Sequence, residues 1–313
     1  MNNEEVIKNK VCEITVGSIM YGTNTPNSDI DKVGVFIAPE KYYLGLDNIE
    51  EVDLSKISKQ DNGKNDKDAI DRKFYEIRQF FRLALQNNPN IIELLFAKNT
   101  VNFTTPIWKD ITDNVEYFLD GIQIRNRFIG YAISQKKKMF IKHENYDILN
   151  EAYRILENSD CKFISDDDYF KKFEFRNNIN TEYKVADIFI PRNSSVKKAM
   201  EILQARLGRV GNRQDLILQY GYDTKFSSHL LRILLEGREL LSTGNLIFPL
   251  KDRDFIKSVK EGNYKVEEVI SIADSLENEI KNIDVKNCKS NYNKVNDLLI
   301  SITKKEFLKW KTK

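Results

Sequence analysis

The sequence predicts an α/β protein of the α+β kind, with a small mixed sheet in its first part and a mainly helical C-terminal region. Three observations carry that expectation. Val11–Val16 and Ile30–Ile37 are runs rich in β-branched and aromatic residues, separated by Gly17-Ser18 and a polar loop. Further on, Ile77, Phe80, Phe81, Ala84 and Leu85 recur at i, i+3, i+4, i+7 and i+8, the apolar stripe of an amphipathic helix. From Val101 onward no strand pairing stands out and the composition is that of helices. The implied division is a first domain over residues 1–100 and a helical region over 101–313.

Asn3–Asn9 predicts a short lead-in helix, after which the first strand delivers Ser18 to a sharp turn at Gly17. Backbone N–H groups and a hydroxyl at such a turn can face an anionic ligand. Asp29 and Asp31 open the second strand, where alternation places them on one face and Ile30 on the other. Like charges held that close repel, and a divalent cation relieves the repulsion most directly. Oxygen-only ligands suit Mg²⁺ or Mn²⁺ better than zinc. An acidic surface hairpin with a Ser-Asp turn is the plainer reading of the same residues.

Ala38-Pro39 closes the second strand, Glu40–Leu46 reads as a loop, Glu50–Leu54 as a further strand, and the polar Ser55–Lys67 as a connection. Asp71 is then expected at the end of a short strand ahead of the amphipathic helix. Asp66 and Asp68 compete with it for any chemical role, and a surface aspartate near a helix start is the alternative. Asn88-Pro89 ends that helix, and Ile91–Phe96 reads as an apolar helix on which Glu93 has a structural place.

Gln123–Ile141 carries Phe128, Tyr131, Ala132 and Met139 on one side, with the Lys136–Lys138 run on a solvated face. Consecutive aspartates do not share a face, so Asp166-Asp167-Asp168 reads as a cap. Arg206, Arg209 and Arg213, with Gly208 and Gly211, read as a basic loop that serves either phosphate or solubility. In Gly221–Gly244, Asp223 or Thr224 caps a helix that aligns Lys225, His229 and Arg232 opposite Leu230, Ile233, Leu234 and Leu241. Such a stripe is either a solvated face or a phosphate clamp. Helices are also expected near residues 265–282 and 295–308.

With 313 residues, 41% hydrophobic and 31% charged, the chain has the composition of a soluble globular protein. No apolar run approaches the roughly 20 residues of a membrane span, and the start lacks the basic and apolar segments of a signal peptide. Three widely separated cysteines argue against a disulfide framework and against a cysteine-based zinc site, so a cytoplasmic location is expected. A net charge of +2 gives no global signal for nucleic acid, and any basic surface must be local.

Gly17-Ser18 followed by Asp29-Ile30-Asp31 resembles the signature of the DNA polymerase β-like nucleotidyltransferase superfamily. In that superfamily a Gly-Ser turn holds the triphosphate and an Asp-x-Asp pair holds the metals. The whole run from Gly17 to Val35 resembles, more narrowly, the RNA-repair-pathway polymerase β family of bacteria and phages. Asp71…Glu76-Ile77-Arg78-Gln79…Asn88-Pro89 is similar to the family's Asp…Glu-Leu-Arg-Lys…Asn-Pro block. Gly130, Tyr131, Gln135 and Lys138 are similar to a family helix in which Lys138 would be a phosphate contact. The stretch from Tyr222 resembles the family's Tyr-Asp-x-Lys-His-x-x-His-Leu-x-Arg-Leu-Leu helix, with Phe226 where histidine is common.

The resemblance implies a metal-dependent nucleotidyltransferase that moves a nucleoside monophosphate, AMP from ATP, onto an acceptor hydroxyl by a two-metal mechanism. Asp29, Asp31 and Asp71 would hold Mg²⁺ or Mn²⁺, with Asp71 also acting as base. Gly17, Ser18, Lys225, His229 and Arg232 would bind the nucleotide. An RNA or tRNA end is the expected acceptor. A protein hydroxyl would make the chain an adenylylating enzyme, and nucleotide binding without turnover would make it a sensor or antitoxin-like module.

Overall fold

The computed structural model describes residues 1, 3–26, 28–55, 70–176, 181–210, 220–286 and 288–311; Asp66, Asp68 and Arg213 lie outside them. The chain forms two compact units. The first contains Met1–Ala132, Leu231–Lys257 and Ile272–Lys313, and the second Ile133–Leu230 and Ser258–Ser271.

The first unit holds a five-stranded sheet of β1 (Lys10–Val16), β2 (Ile30–Phe36), β3 (Glu51–Asp53), β4 (Ile70–Glu76) and β5 (Val101–Phe103), in the order β3-β4-β2-β1-β5. The sheet is mixed, as expected: β1–β2, β1–β5 and β3–β4 are antiparallel, while β2 and β4 run parallel. β5 is a strand that the sequence did not reveal, because three residues are too few to show an alternation. β4 is longer than expected. Its Ile-Asp-Arg-Lys-Phe-Tyr-Glu alternation continues to Glu76, so Asp71 stands near the start of the strand and not at its end.

Pairing with β1 and β4 sets the faces of β2. Val35, Val33 and Asp31 lie opposite Cys12, Ile14 and Val16 on one side and opposite Tyr75, Lys73 and Asp71 on the other. Cys12, Ile14 and Val35 are buried, so this face passes from core to open rim as it approaches the two aspartates. The opposite face joins Phe36 and Phe74 to Val6, Ala38 and Tyr42 in a second apolar cluster. Glu76 ends β4 and caps the Ile77–Leu85 helix by accepting from the N–H of Arg78, and the helix buries Ile77, Phe80, Phe81 and Ala84 as its periodicity predicts. Asn88 caps the next turn, with Pro89 in its first position.

The second unit is not purely helical. It contains an antiparallel sheet of β6 (Glu174–Arg176), β7 (Thr181–Val185) and β8 (Ile188–Pro191), in the order β6-β7-β8. Tyr183, Val185 and Ile190 face a core shared with Leu149, Ala152 and Leu156 of the long Gly121–Glu157 helix and with Ala199, Leu203 and Leu207 of the Val196–Val210 helix. Arg206, expected on a loop, is on that second helix and is paired with Asp187. Asp167 caps the turn beneath Phe170, in keeping with the reading of the aspartate run. Val266–Asn282 and Tyr292–Lys311 form the late helices, and no helix among the described residues is long and apolar enough to cross a membrane.

Gly34 holds the β2–β4 pair at its closest point, where a Cβ would lie 2.2 Å from the Phe74 ring and 2.8 Å from the Cys12 carbonyl. Gly34→Ala is therefore expected to cost about 1–3 kcal/mol in urea unfolding through overpacking. Unchanged stability would mean that the strands can move apart at no cost.

Candidate active site

The Gly17-Ser18 turn leaves β1 with Gly17 at φ 67° and leads into a single helical turn, Ser18–Tyr21. That φ is costly for any residue with a Cβ. A second constraint acts at the same atom, since a Cβ on Gly17 would lie 2.6 Å from Oδ2 of Asp31. The turn therefore brings backbone against one carboxylate of the Asp-x-Asp pair, and glycine alone allows both the bend and the approach.

Asp31 and Asp71 are in-register partners on the parallel β2–β4 pair, so they project from the same face of strands about 4.8 Å apart. Asp29 precedes β2 and is exposed, as is Asp71, while Asp31 is half-buried. The register delivers what the sequence could not show, namely that Asp71 stands beside Asp31, whose carboxylate in turn lies against Gly17. Among the described residues no group of three or more histidine, cysteine, aspartate or glutamate side chains is gathered into a metal-holding cluster. The donors that do come together are carboxylate oxygens, which is the chemistry that fits Mg²⁺ or Mn²⁺.

Lys225, His229 and Arg232 lie on one helix, Thr224–Thr243, capped by Asp223, whose carboxylate accepts from the N–H groups of Lys225 and Phe226. Their environments differ along it. Lys225 is exposed and His229 half-buried, both in the second unit. In that unit Lys138 stands 5.8 Å from the Phe226 ring, in the position where the family commonly has histidine. Arg232 belongs to the first unit and is not on an open polar face at all. It is 5% exposed, and its Nη1 donates to Glu236 at 2.9 Å and to Glu93 at 3.1 Å. Its guanidinium lies 4.1 Å from the centre of the Tyr21 ring, and the Tyr21 hydroxyl donates to Glu93 at 2.9 Å. The three residues stay aligned on one helix, but the third is not on an open polar face, because buried carboxylates capture it. Tyr21 is the last residue of the helical turn that begins at Ser18, so this cluster fixes the far end of the turn.

Residues 8–299 match the RNA repair pathway DNA polymerase beta family. The chain belongs to that family. Membership makes it a nucleotidyltransferase. A relative in Enterobacteria phage T4, an uncharacterized 38.9 kDa protein of the nrdC-mobD intergenic region, is 25% identical over 296 residues, covering 85% of this chain and 86% of the relative. A nucleotidyltransferase-like protein from Exiguobacterium sibiricum has a solved structure with 9% identity and a TM-score of 0.26, covering 87% of this chain and 69% of that one. That superposition is too loose to carry residues across.

In this polymerase β family member the cluster beneath the turn has a clear electrostatic character. Burial raises the carboxyl groups of Glu93 and Glu236 despite the attraction of Arg232, and Glu236 is pushed up to about 8. Glu93 and Tyr21 gave no sequence signal of this kind, because their partner Arg232 is 139 positions from Glu93. The i, i+4 spacing of Arg232 and Glu236 was the one available hint.

A carboxyl whose folded pKa exceeds its unfolded value contributes stability that is full at low pH and is lost as pH rises through the folded value. The midpoint of thermal unfolding is accordingly expected to fall as pH rises from about 4.5 to about 8, and Glu236→Gln to flatten that dependence. Arg232→Ala should lose about 3–5 kcal/mol by leaving two buried carboxylates without a counter-charge. A pH-independent midpoint in the parent protein would mean that Glu236 titrates normally.

Proposed function

We propose that the protein transfers AMP from ATP to a hydroxyl at an RNA end. The observation that carries this reading is the juxtaposition of Asp31 and Asp71, in register on parallel strands, with the Gly17 turn packed against Asp31. A phosphate-facing turn and acidic oxygens on one sheet rim are what nucleotidyl transfer needs. The family description supports the RNA acceptor.

The acceptor oxygen attacks the α-phosphorus of ATP, the bond from that phosphorus to the bridging oxygen breaks, and pyrophosphate leaves with the electron pair. Asp71 takes the proton of the hydroxyl, a role that suits a carboxylate at the open rim. Asp29 and Asp31, with Asp71, are the residues that would hold divalent cations, typical of nucleotidyltransferases of this kind. Such ions lower the pKa of an attacking hydroxyl and neutralise a pyrophosphate leaving group. The Ser18 hydroxyl and the N–H groups at Gly17 and Ser18 donate to the terminal phosphates. Lys225 and His229 keep the phosphate-binding role that the family helix implies. Arg232 acts indirectly, holding the Ser18–Tyr21 turn through Tyr21 and Glu93.

ATP labelled at the α-phosphate, incubated with Mg²⁺ or Mn²⁺ and offered RNA, tRNA and protein, is expected to label RNA. Asp31→Asn and Asp71→Asn should each reduce labelling by at least about a hundredfold while leaving the thermal midpoint unchanged or raised. Label on protein alone would make the enzyme a protein adenylylating one. ATP binding with no labelled acceptor under either metal would sink the catalytic reading.

A further inference from the structure

The outer face of the second unit's sheet combines exposed rings with a cation. β7 alternates Tyr183 and Val185 into the core with Glu182 and Lys184 outward. Cross-strand pairing sets Phe189 opposite Lys184, and Phe175 opposite Glu182. Phe175 is 39% exposed and Phe189 48%, with ring centres 5.5 Å apart. Lys184 Nζ lies 5.7 Å from one ring centre and 5.9 Å from the other, so the charge stands over the pair. The same face continues through Pro191, the partner of Glu182, to a recess of about 510 Å³ that also includes Thr181, Arg192 and Asn193.

We propose that this sheet face binds single-stranded RNA, with bases stacked on Phe175 and Phe189, a backbone phosphate at Lys184, and the adjoining recess taking the next nucleotide. A protein partner fits less well, because lysine is depleted from the cores of protein interfaces, and here it occupies the middle of the apolar patch. A polyanion with exposed π-faces matches both the rings and the charge. Duplex RNA is excluded by the same chemistry, since its base faces are covered by their neighbours. Glu182 and Asn193 provide an acceptor and an amide for the edge of an unstacked base. The choice of RNA over DNA rests on the acceptor proposed above, whereas the platform itself stands on its own geometry.

The test is fluorescence anisotropy of the full chain with a short labelled RNA blocked at both ends, without ATP or metal. Phe175→Ala combined with Phe189→Ala is expected to weaken binding about tenfold or more, with an unchanged circular dichroism melt. Phe189→Trp should retain affinity. Lys184→Ala should reduce the slope of log affinity against log salt by about 0.7. Because the RNA is blocked at both ends and neither ATP nor metal is present, the readout does not depend on transfer, which separates failure of the platform from failure of transfer. Equal affinity of the parent and the double alanine variant would overturn the proposal. So would equal binding of duplex RNA, tighter binding of single-stranded DNA, or a dimer that the same substitutions dissolve.

Discussion

The parallel pairing of β2 with β4 is the constraint on which the first unit turns. In a sheet a slip of one residue moves every side chain to the other face, so carboxylates on neighbouring strands meet only if the register is fixed. Here the Phe74 ring occupies the space beside Gly34 that a side chain would fill, and the buried faces on both sides of the sheet penalise any shift. Asp31 and Asp71 are level because Gly34 and Phe74 are level three rungs away. The placement of the two carboxylates at the rim is thus a consequence of packing in the middle of the strands.

A second constraint acts on the turn that faces those carboxylates. One helical turn of four residues has little stability of its own, and Ser18–Tyr21 is anchored from below by a charged cluster. Burying an arginine with two glutamates is costly in desolvation, and a matched apolar core could be as stable. The arrangement gives direction: Tyr21 is held by a hydrogen bond to Glu93 and by the flat face of Arg232, and the Leu250 N–H donates to the Tyr21 carbonyl. The arginine of the family helix thereby joins the turn near the N-terminus to a helix more than two hundred residues later in the chain.

Elsewhere the charges follow simpler rules. Burial alone would raise the carboxyl of Glu13, but Lys10 and Arg72 outweigh it and hold the group below its usual value. Arg78 bonds to Glu76 and covers the Tyr43 ring at 4.0 Å, so part of the family's Glu-Ile-Arg block serves the entry to a helix. Conspicuous charged residues in a motif therefore divide between those that face the rim and those that hold the scaffold.

The sequence by itself determined the first two strands, the Gly17–Ser18 turn, the Ile77–Leu85 helix and the family, because each rests on local periodicity or on residues close together in the chain. It did not show β5 or the β6–β8 sheet, because strands of three to five residues are too short for an alternation to stand out. It aligned Lys225, His229 and Arg232 correctly along one helix, yet it could not know that Glu93 would close over the third of them. Tertiary structure decided that burial, the adjacency of Asp31 and Asp71, and the exposure of Phe175 and Phe189. All three depend on contacts between segments distant in the chain, where the spacing of residues in sequence carries no information about the spacing of side chains in space.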